Sequence, residues 1–256
     1  MSLQFSDTST YKGIIQIIEK ECGFNRGDIS GNSDRLKEFT ADVNMTIDDY
    51  IELAIKSSGR WQFDDSGHTD YPIITTNLVS TQRDYSFTTD EDGNLILDIY
   101  RVAILPSATA TVYEEITPVD AQTDKNSDFV ANNTSITGIP SEYDKTANGI
   151  FLNPIPNYNA TNGLKVYINR EGSYFTTSDT TKKPGVPGIH HEYFALKSSL
   201  RYARRKSLSN LNALEKAVID FEGSERLGVA GKIAEYFSKR EKDDITRLTG
   251  EPIIYE

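Results

Sequence analysis

The hydrophobic period of this chain changes twice, and that double change constrains the fold more than any short motif does. Up to about residue 60 apolar residues recur at helical spacing, from Trp61 to about Arg170 they alternate, and after "TTKKPGVPG" helical spacing returns. The simplest architecture is α+β: a helical bundle formed by N- and C-terminal helices, with an inserted antiparallel β-sandwich or open barrel domain. The expected divisions are 1–60 for the opening helices, 61–188 for the β-domain, 189–249 for the closing helices and 250–256 for a tail. The sequence contains no internal repeat and no low-complexity tract.

Three short helices are expected before Trp61. "YKGIIQIIEKECG" sets Ile14, Ile17 and Ile18 on one face and stops at Gly23. "SDRLKEFTADVN" starts at Ser33, near Lys37, and spaces Leu36, Phe39 and Val43 as a helix does. "TIDDYIELAIKSSGRW" offers Thr46 as N-cap, with Asp48 and Asp49 in a first turn where the helix dipole favours negative charge.

After the β-domain, one helix carries His190, Phe194, Lys197 and Arg201 on one stripe and Tyr193, Leu196, Leu200 and Ala203 on another, ending near Lys206. The next presents Leu214, Val218 and Phe221. A last one, "AGKIAEYFSKREKDDITRL", supplies Ile233, Tyr236 and Phe237, continuing to Ile245 and Leu248. The tail "GEPIIYE" is apolar behind Gly250 and Pro252.

Within the middle block, "YPIITTNLV", "DYSFTT", "NLILDIYRVAIL", "TATVYEEI", "GIFLNP" and "LKVYINR" are rich in β-branched and aromatic residues and are separated by Gly, Asp, Asn and Pro. A long polar connection is expected near 117–137. "GIPSEYDKTANGIFLNPIP", residues 138–156, predicts two short strands with proline-bounded ends around a polar reversal from Tyr143 to Asn148. It holds no nucleophile and no phosphate loop.

Charge narrows the function. Asp and Glu number 38 against 27 Lys and Arg, a net charge of -11. Such a surface argues against a protein that grips nucleic acid by counterion release, while leaving room for one past which DNA slides. Cys22 is the one cysteine, so an internal disulfide framework is excluded. The first residues, "MSLQFSDTST", combine neither a basic segment nor an apolar run, giving the expectation of no signal peptide. No stretch approaches the roughly 20 apolar residues of a bilayer span, so a soluble protein is expected.

Catalytic and metal readings find little support. Asp64, Asp65, His68 and Asp70 cluster in "WQFDDSGHTDY", where acidic residues at a helix-to-strand turn more often cap backbone groups than hold an ion. His190 and His191 are adjacent and diverge on a helix, unlike an i, i+4 ligand pair, and suit a helix start. No nucleophile elbow, Walker loop or dinucleotide fingerprint is present, so no catalytic residue, metal ligand or cofactor is assigned. The most basic place is "KSSLRYARRK", with Lys197, Arg201 and Arg205 at i, i+4, i+8 beside Arg204 and Lys206. It reads as a solvated face, as a partner for acidic helices such as that of Glu215, Asp220 and Glu222 in this chain or a neighbour, or as a DNA contact. Pairing ranks first, since a short basic face in an acidic chain gives weak grounds for nucleic-acid binding.

The order of these segments resembles the head-to-tail adaptor, or connector, proteins of tailed bacteriophages. The resemblance runs from about Trp61 to Arg240, through "WQFDDSGHTDYPIITTNL", "QRDYSF", "LILDIYRVAIL", the proline-bounded hairpin and "LKVYINREGSYFTTSDTTKKPGVPGIHHEYFALKSSLRYA". It implies a non-catalytic virion protein in the head-tail neck, ring-forming and commonly dodecameric, beneath the portal protein. Such a ring extends the channel for double-stranded DNA and gives tail or neck proteins a platform. It further implies portal docking by the C-terminal region, here Tyr236, Phe237, Pro252, Ile253, Ile254 and Tyr255. The apolar tail either orders on a partner, by adding a strand or filling a groove, or folds back on its own bundle. Another neck or tail ring (a stopper or tail-tube gatekeeper) is the nearest alternative. A tail-borne cell-wall hydrolase would need the Asp65 cluster, and a carbohydrate-binding module would need Trp61 and exposed tyrosines.

Overall fold

The computed structural model describes residues 2–58, 73–89, 93, 95–119, 136–146 and 148–239. The chain divides into two compact units, one made of Met1–His68 with Gly172–Glu256 and the other of Thr69–Glu171. Each has its own apolar core. The α+β reading therefore holds: the helices on either side of the insertion form one unit, which also contains a short antiparallel pair of Gly223–Ser224 with Val229–Ala230, and the two four-stranded sheets form the inserted one.

The helical unit contains α1 (Ile14–Glu21), α2 (Ser33–Ser58), α3 (His191–Lys206), α4 (Leu211–Glu222) and α5 over 232–239. Among the described residues no helix is long and apolar enough to cross a membrane. α1 ends as expected at Gly23, whose φ of 73° suits glycine. The Phe24 N–H bonds the Glu19 carbonyl at 2.8 Å and the Gly23 N–H bonds that of Lys20 at 3.3 Å, a Schellman ending. Of the expected face, Ile14 and Ile18 are buried and Ile17 packs half-buried against the core, joined by Ile15 and by the polar Gln16 and Glu19. The Glu19 carboxylate is satisfied there by backbone N–H groups of Gly27, Ile29 and Ser30 at 2.9 to 3.1 Å.

The two helices expected over 33–60 are one helix of 26 residues, α2. Asn32, not Ser33, caps it: its Oδ1 accepts the N–H groups of Asp34 and Arg35, each at 3.1 Å. Thr46 is not a cap. Its hydroxyl donates back to the Asp42 carbonyl at 2.8 Å, which satisfies a buried polar group without ending the helix. The buried stripe Phe39, Val43, Ile47, Tyr50, Ile51 and Ala54 runs straight through the expected break.

α3 is the central helix, packed against α1, α2 and α4. α4 buries Leu214, Val218 and Phe221, as its spacing predicts. The chain returns to the helical unit at Gly172, earlier than the expected boundary at 189. Phe175 stacks on Phe5 at 4.5 Å, and the Asn44 side chain bonds the Phe175 carbonyl and N–H at 2.9 and 2.8 Å. Apolar anchoring, which periodicity does not register in an irregular segment, sets this boundary.

The inserted unit holds two four-stranded sheets. One has the order β1 (Ile73–Leu78), β10 (Ala160–Arg170), β3 (Ile96–Ile104), β4 (Glu114–Glu115). The other is β2 (Asp84–Ser86), β8 (Gly149–Asn153), β7 (Glu142–Thr146), β5 (Thr117–Pro118). They share one core, to which Leu78, Val102, Leu164 and Val166 contribute from the first sheet and Tyr85, Tyr143, Ile150 and Leu152 from the second. Pairing is antiparallel except between β5 and β7, and between β6 (Thr137–Gly138) and β9 (Ile155–Pro156), which are parallel. The purely antiparallel expectation is corrected there, since two-residue segments carry no signal of pairing direction. The reversal expected from Tyr143 to Asn148 is confined to the connection between Thr146 and Gly149, which pair. Tyr143 is a strand residue opposite Leu152 and is 1% exposed. Gly149 is required by close approach: a Cβ there would lie 2.1 Å from the Tyr85 carbonyl oxygen on β2.

Candidate functional site

The cations singled out in "KSSLRYARRK" lie on α3, and α2 and α4 answer them with carboxylates. Arg205 makes a forked contact with Asp42, Nη1 to Oδ1 at 3.0 Å and Nη2 to Oδ2 at 2.6 Å, and also reaches Glu38 at 3.1 Å. Arg201 reaches Asp49 at 2.6 Å. Lys197 lies 3.8 Å from Asp49 and donates to Glu222 of α4 at 2.5 Å. As α3 numbers fall the α2 numbers rise, so the two helices run antiparallel, and cations one turn apart meet acids up to two turns apart. Arg204 pairs with Glu215 of α4 at 3.0 Å on the exposed side. Lys206 is exposed and forms no ion pair among the described residues.

Burial makes the rungs unequal. Asp42 is 1% exposed, so its carboxylate depends on the Arg205 fork. The hydrogen bond to Asp42 in turn holds the Arg205 pKa above its ordinary value. Glu222 accepts both Lys197 and the Tyr193 hydroxyl, the latter at 2.7 Å. Burial, and then the Glu222 charge, push the Tyr193 pKa far up, so that phenol stays a neutral donor. The row is thus neutralised inside the chain, in keeping with the pairing reading. Its chemistry is that of an interhelical clamp.

The two histidines stand at the start of α3, as the sequence predicts, and both are 2% exposed. His190 Nδ1 lies 2.6 Å from the Tyr50 hydroxyl, with the rings of Tyr236 and Phe221 edge-on. Burial, then the neighbouring His191, lowers the His190 pKa to about 4. His191 accepts the Leu3 N–H at Nδ1 and bonds the Val186 carbonyl through Nε2, each at 2.9 Å, and burial lowers its pKa too. Among the described residues no group of three or more His, Cys, Asp or Glu is placed to hold a metal ion. Burial raises the Cys22 pKa to about 11, which keeps it an unreactive thiol.

Of the residues expected to dock a partner, Phe237 is 3% exposed in the core of the helical unit and Tyr236 is packed against that core. Phe237 thus holds α5 to its own bundle, while Tyr236 is half-buried. Pro252, Ile253, Ile254 and Tyr255 lie outside the described residues, as do Trp61, Asp64, Asp65, His68, Asp70, Ile245 and Leu248. In the inserted unit, Lys165 covers the ring of Tyr113 at 3.9 Å and Arg101 that of Tyr167 at 4.8 Å. Each of those two rings carries a cation over one face.

Sequence reasoning missed Glu38 and Asp42, and read Asp49 only as a first-turn residue rather than as a partner of α3. A signal for two of them existed: Asp42 and Asp49 stand two helical turns apart, matching the Lys197–Arg201–Arg205 repeat on an antiparallel partner. It was hidden by placing a helix break at Thr46. No protein-family model matches this sequence, and no curated protein matches it.

Proposed function

We propose that this chain is a structural subunit of a phage virion, a head-to-tail adaptor that assembles as a ring beneath the portal, extends the DNA channel and gives tail components their platform. The observation that carries the reading is the insertion: the two ends of the chain form one helical unit and the strand unit is threaded between them, the order of elements on which the adaptor resemblance rests. Charge supports it. The α3 cations are engaged by carboxylates of their own chain, so a net charge of -11 is left without a built cationic groove among the described residues. A channel wall of that character repels phosphate, and DNA slides past it. The reading requires no catalytic residue and no cofactor.

The test is cryo-electron microscopy of the purified protein mixed with the portal of its own virus. A continuous ring coaxial with the portal is the expected result. Subunits that stay unattached over a range of salt concentrations overturn the adaptor reading. A ring that binds tail proteins and ignores the portal assigns the chain to the stopper or gatekeeper position.

A further inference from the structure

Rings from three helices meet around His190, which holds the N-cap position of α3. Its ring centroid lies 5.7 Å from that of Tyr50 on α2, 6.5 Å from Phe221 on α4 and 5.2 Å from Tyr236 on α5. The surroundings suit a neutral imidazole. Nδ1 shares a hydrogen bond of 2.6 Å with the Tyr50 hydroxyl, and a protonated ring, with N–H on both nitrogens, can no longer accept there. A charge on the ring would stand at the positive end of the α3 dipole and beside His191, with the Lys232 ammonium of α5 on the neighbouring Phe221 ring at 4.9 Å. The carboxylates next in the chain to its ring neighbours are turned elsewhere: Asp49 bonds Arg201, Glu222 bonds Lys197 and the Tyr193 hydroxyl, and Glu235 of α5 is exposed. His191 is faced by the cationic Lys183. Among the described residues the hydrogen-bond partners of both imidazoles are uncharged: the Tyr50 hydroxyl for His190, and backbone groups of Leu3 and Val186 for His191.

A proton taken up here finds no counter-charge, so the ring has to be given water, and the four helices around it are not equally easy to move. α2, α3 and α4 are cross-tied by the ion pairs Arg205–Asp42, Arg201–Asp49 and Lys197–Glu222. α5 forms no ion pair with them among the described residues. It is held by the buried side chains of Ile233 and Phe237, by the half-buried Tyr236 that packs on His190, and by the Lys232 contact with Phe221. We propose that His190 is a proton-operated latch on α5: protonation of its ring releases α5 from the bundle and uncovers Phe237, while α1 to α4 stay folded. Lifting α5 removes Tyr236 from one side of the imidazole and breaks no ion pair, so it is the local opening that solvates the charge at least cost. The ring then acts as histidine does in other acid-sensitive switches, where a buried neutral imidazole secures one packing and its charged form another. The latch stands on the contacts of the helical unit and does not depend on the adaptor reading.

Hydrogen exchange on the full chain at several pH values, corrected for the intrinsic pH dependence of exchange, tests it. Protection of the Ile233–Phe237 amides is expected to fall by up to about tenfold per pH unit from about 6.5 towards 4, the one-proton limit for a ring whose pKa burial lowers to about 4. Amides of α1 and α3 are expected to remain protected where those of α5 no longer are. His190→Gln, whose side-chain oxygen can still accept the Tyr50 hydroxyl, is expected to abolish the acid loss in α5, and His191→Gln to keep it. Far-ultraviolet circular dichroism at neutral pH checks that both variants fold. If His190→Gln does not fold, the parent chain and His191→Gln decide the matter. Protection of α5 that is independent of pH, that equals the protection of α1 at every pH, or that still falls with acid in folded His190→Gln overturns the proposal. Loss of the acid response in His191→Gln overturns it as well, by assigning the proton to the other ring.

Discussion

Arg205 and Asp42 show how much a single pair weighs when one member is buried. Replacing Arg205 by Ala leaves a carboxylate that is 1% exposed without its fork. A loss of about 1–3 kcal/mol is expected, the cost of an unsatisfied buried group. Arg204→Ala, which removes an exposed partner of Glu215, is expected to cost less than about 1 kcal/mol. Urea midpoints of the two variants decide it, and equal losses would refute the ranking. At the same scale, His190 gives a pH dependence whose sign follows from burial. Its pKa falls from the ordinary 6.5 to about 4 on folding, so the unfolded chain binds the proton more readily in that window. His190 therefore makes stability fall as pH drops from about 6.5 towards 4. Denaturant titrations at several pH values should show a flatter dependence there for His190→Gln than for the parent chain.

At the scale of the element, α2 is one helix because its buried stripe runs on past the residue that resembled a cap. Thr46 bonds back to Asp42 within the helix, and that carbonyl also serves the helical backbone. Thr46→Val, which keeps the shape and removes the hydroxyl, is expected to change stability by less than about 0.5 kcal/mol. Asn32→Ala removes the true cap and is expected to cost about 1 kcal/mol, within the usual range for caps. The opposite order in thermal or urea unfolding would restore the two-helix reading.

For the whole molecule, two separate apolar cores imply that damage to one unit is felt there first. Leu152 is fully buried in the core of the inserted unit, and Leu152→Ala is expected to cost about 2–5 kcal/mol. Hydrogen exchange should speed up across 73–170 and stay near its parent values in α1 and α3. Uniform acceleration throughout the chain would instead show that the two units unfold as one.

By itself the sequence determined what depends on local spacing and backbone chemistry. The change of period placed helices at both ends and strands between them, Gly23 marked the end of α1 because a positive φ suits glycine, and Leu214, Val218 and Phe221 marked the inner face of α4. Tertiary structure decided whatever depends on partners distant in the chain. It joined α2 through Thr46, moved the unit boundary to Gly172 by stacking Phe175 on Phe5, set β5 and β6 parallel to their neighbours, and turned the cations of α3 from a candidate surface into a clamp on Asp42, Asp49 and Glu222. Spacing states which residues share a face, whereas burial and pairing depend on what that face meets.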